Sequence, residues 1–305
     1  MGAAMKPRLF LVVLLSVAAH SAASLGSPGR QQAVFRTGVD LVRLDALVTS
    51  GGRPITGLKA DDFAVTDNGV PQQLKVATAE GDVAVALVLD TSGSVKGSAL
   101  DHLVAASQTL VAMLKPGDTV SLVTFSNRLS LEAGSVRDPT VISHALLDAR
   151  SAGRTALWDA LLAGVSLVAG RTQRSLVLVF TDGSDNSSWT TREQLEESLK
   201  RSEAVVYAVQ SGDWANPGAP VWAGTRALQS VVNQTGGDVF QAESGIKLSQ
   251  QFTAILEQFR SRYLLTYEPT GVRRDDGWHR VDVRVKGRQA KVVVRPGYYA
   301  KTRPE

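Results

Sequence analysis

The segment Val83-Ala-Val-Ala-Leu-Val-Leu-Asp90-Thr-Ser92-Gly-Ser94 constrains the fold more than any other stretch of the chain. Seven apolar or small residues run directly into an aspartate, and two serine hydroxyls follow at alternate positions. A run this short, closed by a polar turn, reads as a strand buried on both faces, as in a parallel sheet. Open α/β sheets gather their ligands at the carboxyl ends of such strands. One carboxylate and two hydroxyls are hard oxygen donors, suited to Mg²⁺, Mn²⁺ or Ca²⁺ rather than to a soft metal. A divalent-cation site here needs further ligands from elsewhere in the chain.

From Val83 to about Arg262, short apolar runs alternate with helical patterns. Strands are expected at Val83–Leu89, Thr119–Phe125, Asn127–Leu131, Ser175–Asp182, Ala204–Val209 and near Phe240. Helices are expected over Ser98–Leu114, Thr140–Ala149, Ala156–Ala169, Arg192–Ser202, Gly224–Gln234 and Ile246–Phe259, with Ser211–Ala223 as a loop. Strands alternating with helices imply right-handed βαβ units and an α/β fold, a mostly parallel sheet covered on both faces.

The flanks are different. Val34–Val48 alternates apolar and polar residues, Asp67-Asn68-Gly69 is a hairpin signal, and Pro71–Val76 reads as the return strand. Tyr263–Tyr267, Trp278–Val285, Lys291–Arg295 and Pro296–Tyr299 are β again. Neither flank has enough strands for its own core. The economical architecture is one small β-sandwich built from residues 34–79 and 263–300, with an α/β domain over residues 80–262 inserted between them.

Ahead of these segments, Lys6 and Arg8 precede the apolar run Leu9–Ala19 and the small residues Ser21-Ala-Ala-Ser24. That is the pattern of a signal peptide over residues 1–24, cleaved near Ser24, and it implies a secreted or periplasmic protein with no membrane span in the mature chain. Removing Lys6 and Arg8 lowers the formal excess of +4 to about +2, which says little about partners. No basic run is interleaved with aromatics, so nucleic acid is a poor expectation. The absence of cysteine removes disulfides and thiolate chemistry. His20, His102, His144 and His279 show no pair at ligand spacing, which argues against a zinc enzyme.

Two later loops offer the missing ligands: Thr155 in Gly153-Arg-Thr155-Ala-Leu, and Asp182 in Thr181-Asp182-Gly183-Ser-Asp185. Together with Asp90, Ser92 and Ser94 they make two carboxylates and three hydroxyls, a set that fits one octahedral divalent ion completed by water. Gly93 and Gly183 are positioned to let the backbone approach closely. In the competing reading, Asp90 and Asp182 simply cap the helices that follow their strands. Gly183 and Asp185 are candidates to support the ligands from behind, although Asp185, Asn186, Ser187 and Ser188 also read as a helix N-cap cluster. Trp158 is expected in the core. Trp189, Trp214 and Trp222 fall in or beside loops at the same face, as a partner surface or as buried anchors. Arg154 is either a solvated charge or a lure for an acidic partner. His102 and His144 are expected at the surface, and Tyr298-Tyr299 against the terminal strand.

Asp90-x-Ser92-x-Ser94, Thr155 before a helix, and Thr181-Asp182-Gly183 resemble the metal-ion-dependent adhesion site of von Willebrand factor type A domains, over Val83 to about Arg262. Leu58-Lys-Ala-Asp-Asp-Phe63, Asp67-Asn-Gly69, Thr181-Asp-Gly-Ser-Asp-Asn186, Tyr263-Leu-Leu-Thr-Tyr-Glu-Pro269 and Arg295-Pro-Gly-Tyr298 resemble the bacterial VWFA-related Acidobacterial domain family, named by its domain rather than by an activity. The first resemblance implies a Rossmann-like, doubly wound sheet. It also implies a non-enzymatic module in which Mg²⁺, or Mn²⁺ or Ca²⁺, accepts an acidic side chain of a protein or peptide partner. Two other classes stand beside it. One is an envelope-assembly subunit whose metal only stabilises it. The other is a Mg²⁺-dependent phosphohydrolase with Asp90 as nucleophile, which the lack of an acid at position 92, of a phosphate-binding glycine loop and of a nucleophile elbow argues against.

Overall fold

The computed structural model describes residues 41–77, 80–95, 97–211, 223–242, 245–273 and 277–300. The expected signal peptide, residues 34–40 of the first strand, and the loop carrying Trp214 and Trp222 lie outside the described residues. The described residues fall in one compact unit. Among them, no helix is long and apolar enough to cross a membrane.

The central sheet is built from β6 (Val83–Asp90), β7 (Thr119–Phe125), β8 (Leu129–Val136), β9 (Arg174–Thr181), β10 (Val205–Ser211) and β11 (Val239–Ala242), in the order β11-β10-β9-β6-β7-β8. Every pair is parallel except β7 with β8. All eight residues of β6 are buried, as its unbroken apolar run requires. Its side chains alternate between two cores. Val83, Val85, Leu87 and Leu89 pack under α1 (Ser98–Ala112), α2 (Pro139–Leu147) and α6 (Gly245–Arg260). Ala84, Ala86 and Val88 pack under α3 (Leu157–Val168), α4 (Arg192–Lys200) and α5 (Ala223–Asn233). Both alanines of β6 therefore face α3, and both leucines face the core under α1 and α6. Each buried Val or Leu contributes about 1.5–3 kcal/mol.

The two flanks do form a sandwich. One sheet runs β14-β1-β12-β5, from β1 (Val42–Ser50), β5 (Lys75–Ala77), β12 (Tyr263–Tyr267) and β14 (Lys291–Val293), with the short β2 (Arg53–Pro54) also on β1. The other runs β15-β13-β3-β4, from β3 (Phe63–Asp67), β4 (Val70–Gln72), β13 (Trp278–Val285) and β15 (Gly297–Tyr299). Each sheet mixes strands from both ends of the chain. Leu44, Phe63, Val65, Tyr263, Leu265 and Val283 share the core between them. The β3–β4 turn has Asn68 and Gly69 at φ 48° and 84°, the paired left-handed geometry that Asn-Gly favours.

Two boundaries differ from the sequence reading. The return strand expected over Pro71–Val76 is divided: β4 pairs with β3, while β5 crosses to the other sheet and pairs with β12. Leu74, between them, packs against the sandwich core and carries the chain from one layer to the other. The short strand expected at Asn127–Leu131 continues to Val136, with a register irregularity against β7.

Buried arginines join the sandwich to the α/β body. Arg262, fully buried, donates to the Tyr207 hydroxyl of β10, to the Gly236 carbonyl, to Val293 O at 3.2 Å and to Asp45 O at 3.3 Å. Arg174 at the start of β9 pairs with Asp45 of β1 and donates to Phe259 O at 3.1 Å. Truncating Arg262 strands a hydroxyl and three carbonyls inside the joint. Arg262→Ala is therefore expected to lower the unfolding free energy by about 3 kcal/mol or more, read from urea denaturation. A change below about 0.5 kcal/mol would refute this role.

Candidate metal centre

Three loops meet at the carboxyl edge of the central sheet. The first follows β6. Asp90 is fully buried; its Oδ1 accepts from Ser92 N at 2.8 Å and its Oδ2 from Thr181 Oγ1 at 2.8 Å. Ser92 is buried, Ser94 is exposed, and their hydroxyls lie 3.1 Å apart. The second loop leads into α3 and carries Thr155, which is buried. The third follows β9 and carries Asp182, half-buried, with Oδ1 accepting from Ser184 N at 2.8 Å.

The loops are tied to one another by backbone and side-chain hydrogen bonds. Gly93 N donates to Gly153 O at 3.0 Å, Ala152 N to Thr91 O at 2.9 Å, and Ser151 Oγ to Ser92 O at 2.8 Å. Thr155 N donates to Asn186 Oδ1 at 2.9 Å, and Asn186 N returns a bond to Thr155 O at 3.0 Å. Thr181 closes the triangle: its hydroxyl donates to Asp90 and accepts from Gly183 N at 3.1 Å. The five expected ligands thus sit on three loops held in fixed relation.

Neither aspartate caps the helix after its strand. Both bind a backbone N–H two residues on, the local turn that Asp favours. The N-cap of α4 is Thr191. Asp185 and Ser188 are caps, but of α3, the helix after Thr155. Asp185 Oδ1 accepts from Leu157 N at 2.8 Å, and Ser188 Oγ accepts from Trp158 N at 3.0 Å. Asp185 therefore supports the site by holding the helix that Thr155 precedes. Gly183 has φ +86°, and a Cβ there would stand 2.3 Å from Gln210 Nε2. Gly93 carries no such demand, since its Cβ would make ordinary contact at 3.4 Å. The demanding glycine of that region is Gly153, at φ +87° and 2.3 Å from Asn127 Oδ1.

Thr181 and Gln210 had no assigned role in the sequence reading. Gln210 donates to Asp182 O at 2.8 Å and accepts from Thr225 and Gln241, so it fixes the third loop. The available signal was a lone polar residue just past the apolar run Ala204–Val209. Trp158 is in the core and Trp189 is 95% exposed. The guanidinium of Arg154 binds Asn186. His102 and His144 are exposed.

The electrostatics favour a cation. Burial raises the Asp90 pKa to about 6; the hydrogen bonds from Ser92 and Thr181 oppose the rise, and the negative charge of Asp182 adds to it. Among the described residues, no three His, Cys, Asp or Glu cluster in a metal-holding arrangement. The donor set is carboxylate and hydroxyl oxygen. A buried carboxylate with only neutral donors, repelled by a second one, fits a hard divalent ion.

Residues 85–184 match the family model of the von Willebrand factor type A domain, a span that contains all five residues. The curated proteins give no match. Among solved structures, the chain is similar to a mutant of the PilB minor pilin from Streptococcus sanguinis, at 15% identity and TM-score 0.51, covering 60% of this chain and 62% of that one. It is also similar to proximal thread matrix protein 1 from the mussel byssus with a zinc-occupied MIDAS motif, at 18% identity and TM-score 0.52, covering 64% of this chain and 50% of that one. The chain thus spans less than two thirds of either protein, and these likenesses concern the fold.

Two outcomes follow from the geometry. Asp185→Ala uncaps α3 and is expected to cost about 1–2 kcal/mol in thermal or chemical unfolding; no loss would contradict the cap. Because the folded pKa of Asp90 lies above its unfolded value, the folded state binds the extra proton. In chelator-treated protein, stability should fall as pH rises from about 4 to about 7, by on the order of 3 kcal/mol from this residue. Asp90→Asn should flatten that part of the profile; an unchanged slope would contradict the assignment.

Proposed function

We propose that this protein, whose residues 85–184 match the von Willebrand factor type A domain model, is a metal-dependent protein-binding module that works outside the cytoplasm. Asp90, Ser92, Ser94, Thr155 and Asp182 hold Mg²⁺, Mn²⁺ or Ca²⁺, and an aspartate or glutamate of a protein or peptide partner completes the shell. The observation that carries this reading is the buried Asp90 carboxylate, served by neutral donors alone, inside three cross-tied loops. A bound divalent ion would supply Lewis acidity toward an anionic ligand. The protein's part is to set the oxygens rigidly, so little ordering entropy is lost on binding.

Recognition rather than turnover is supported by what surrounds the loops. Trp189 lies on the β9–α4 connection at the same edge of the sheet, 95% exposed, while its backbone N–H donates to Asp159 Oδ2 at 2.9 Å. An exposed indole on a pinned backbone suits a partner anchor. Export rests on the basic, apolar and small-residue pattern of residues 1–24.

Calorimetry on the full chain tests the site. Mg²⁺ or Mn²⁺ should bind with one-to-one stoichiometry, and Asp90→Ala should abolish the heat of binding; retained affinity in the variant would overturn the ligand set. Pull-downs from an envelope fraction with Mg²⁺ or with EDTA then test the function. A partner retained only with metal supports adhesion. Equal capture with EDTA, together with a large loss of melting temperature, points instead to a metal that serves stability alone.

A further inference from the structure

Away from the three loops, a cavity of about 360 Å³ opens where the sandwich meets the end of α4. Its size is that of a small-molecule pocket, larger than a bare inorganic ion needs. Arg43, Lys200, Arg201 and Arg295 line it, against one carboxylate, Glu203. That acid stands 3.6 Å from Arg43. Lys200 and Arg201 turn toward Glu197 on the outside of α4, at 3.5 Å and 3.2 Å.

Arg295 is in a different position. It is 8% exposed, and its guanidinium donates to Gly297 O at 2.6 Å and to Lys200 O at 2.7 Å. Both acceptors are neutral carbonyls. Nη1 makes no hydrogen bond among the described residues, and no carboxylate there lies within ion-pair distance of Arg295. Burial of a charge held only by carbonyls is costly, and desolvation depresses the Arg295 pKa, with the more distant Glu203 carboxylate acting in the opposite direction. The two carbonyl bonds need only N–H donors. The positive charge is surplus to them, and the cavity opens on it.

The adjoining wall is rigid. His279, 2% exposed, lines the cavity with Nδ1 2.8 Å from Asp67 Oδ1. Asp67, fully buried, also accepts from Tyr298 at 2.7 Å and from Tyr267 at 3.0 Å. The acid behind the wall is held by three partners, and its orientation holds the His279 ring in place. Val42, Pro269 and Val272 supply apolar lining.

We propose that this cavity is a second binding site, separate from the metal centre, for a small organic oxyanion. Its acidic head, carboxylate or phosphate, pairs with Arg295, and its apolar body packs against Val42, Pro269 and Val272.

Calorimetric titration of the full chain in EDTA tests this with benzoate, phenyl phosphate and neutral benzamide. At least one of the two anions should bind one-to-one, about tenfold or more tighter than benzamide, and the stronger of the two identifies the head group. Arg295→Gln should lose that binding. Val272→Trp, which fills the cavity from its half-buried wall without touching the Arg295 ties, should lose it as well. Circular dichroism checks that each variant is folded; if Arg295→Gln is not, Val272→Trp decides alone. Two results would overturn the proposal: neither anion exceeding benzamide, or anion binding that survives in folded Val272→Trp.

Discussion

Parallel pairing of β6 with β9 is the constraint on which the site depends. Leu89 stands opposite Phe180, so Asp90 and Thr181 leave the sheet side by side, and Asp182 follows at once. Parallel strands carry both chains to the same edge, and an antiparallel pair would have sent the two aspartates to opposite ends. The cost of holding two acids together is met by burial of the strands beneath them, whose side chains are nearly all inaccessible. The hydroxyl of Thr181 then does what a water molecule would do in a looser site: it binds Asp90 and fixes the turn at Gly183.

A second constraint acts at the opposite side of the α/β body. Arg174 and Arg262 are charged groups inside a joint, and each is held by partners from both the sandwich and the α/β body: Asp45 and Phe259 O for Arg174, and Asp45 O, Val293 O and Tyr207 for Arg262. Apolar contact alone would allow the two layers to slide. A guanidinium with fixed donor directions accepts only one relative placement, so the arginines specify how the body sits in the sandwich more than they strengthen the contact.

Much of this was legible in the sequence, and the misses have a common cause. The central strands announce themselves as apolar runs ending in polar turns, and both aspartates of the candidate site, Asp90 and Asp182, were visible at those ends. Asn68-Gly69 identified its hairpin. Asp185 and Ser188 were readable as caps, but not as caps of a helix almost thirty residues earlier, because local spacing carries no information about which N-terminus lies nearby. Gly93 looked as necessary as Gly183, yet only the fold reveals that Gly153 is the crowded position. The division of Pro71–Val76 between two sheets escaped for the same reason: alternation reports which face a residue buries, not which neighbour its strand pairs with. Arg262 marked the end of the α/β segment without disclosing that it is buried, since the acceptors that make burial tolerable are carbonyls from distant strands.

The interleaving of the two ends has a kinetic consequence. β1 pairs with β12 and β14, and β3 pairs with β13, so every layer of the sandwich waits for residues more than 200 positions away; Arg262 and Asp45 alone are 217 apart. Closing such long loops is slow. As the chain is made, β1 and β3 emerge first with only the short local strands β2 and β4 to pair with, and their remaining edges stay open until the whole α/β body has followed. Their alternating pattern, with Arg43 and Asp45 spaced between apolar residues, keeps charge on a strand that is exposed during that interval, and charge of this kind discourages pairing with another copy.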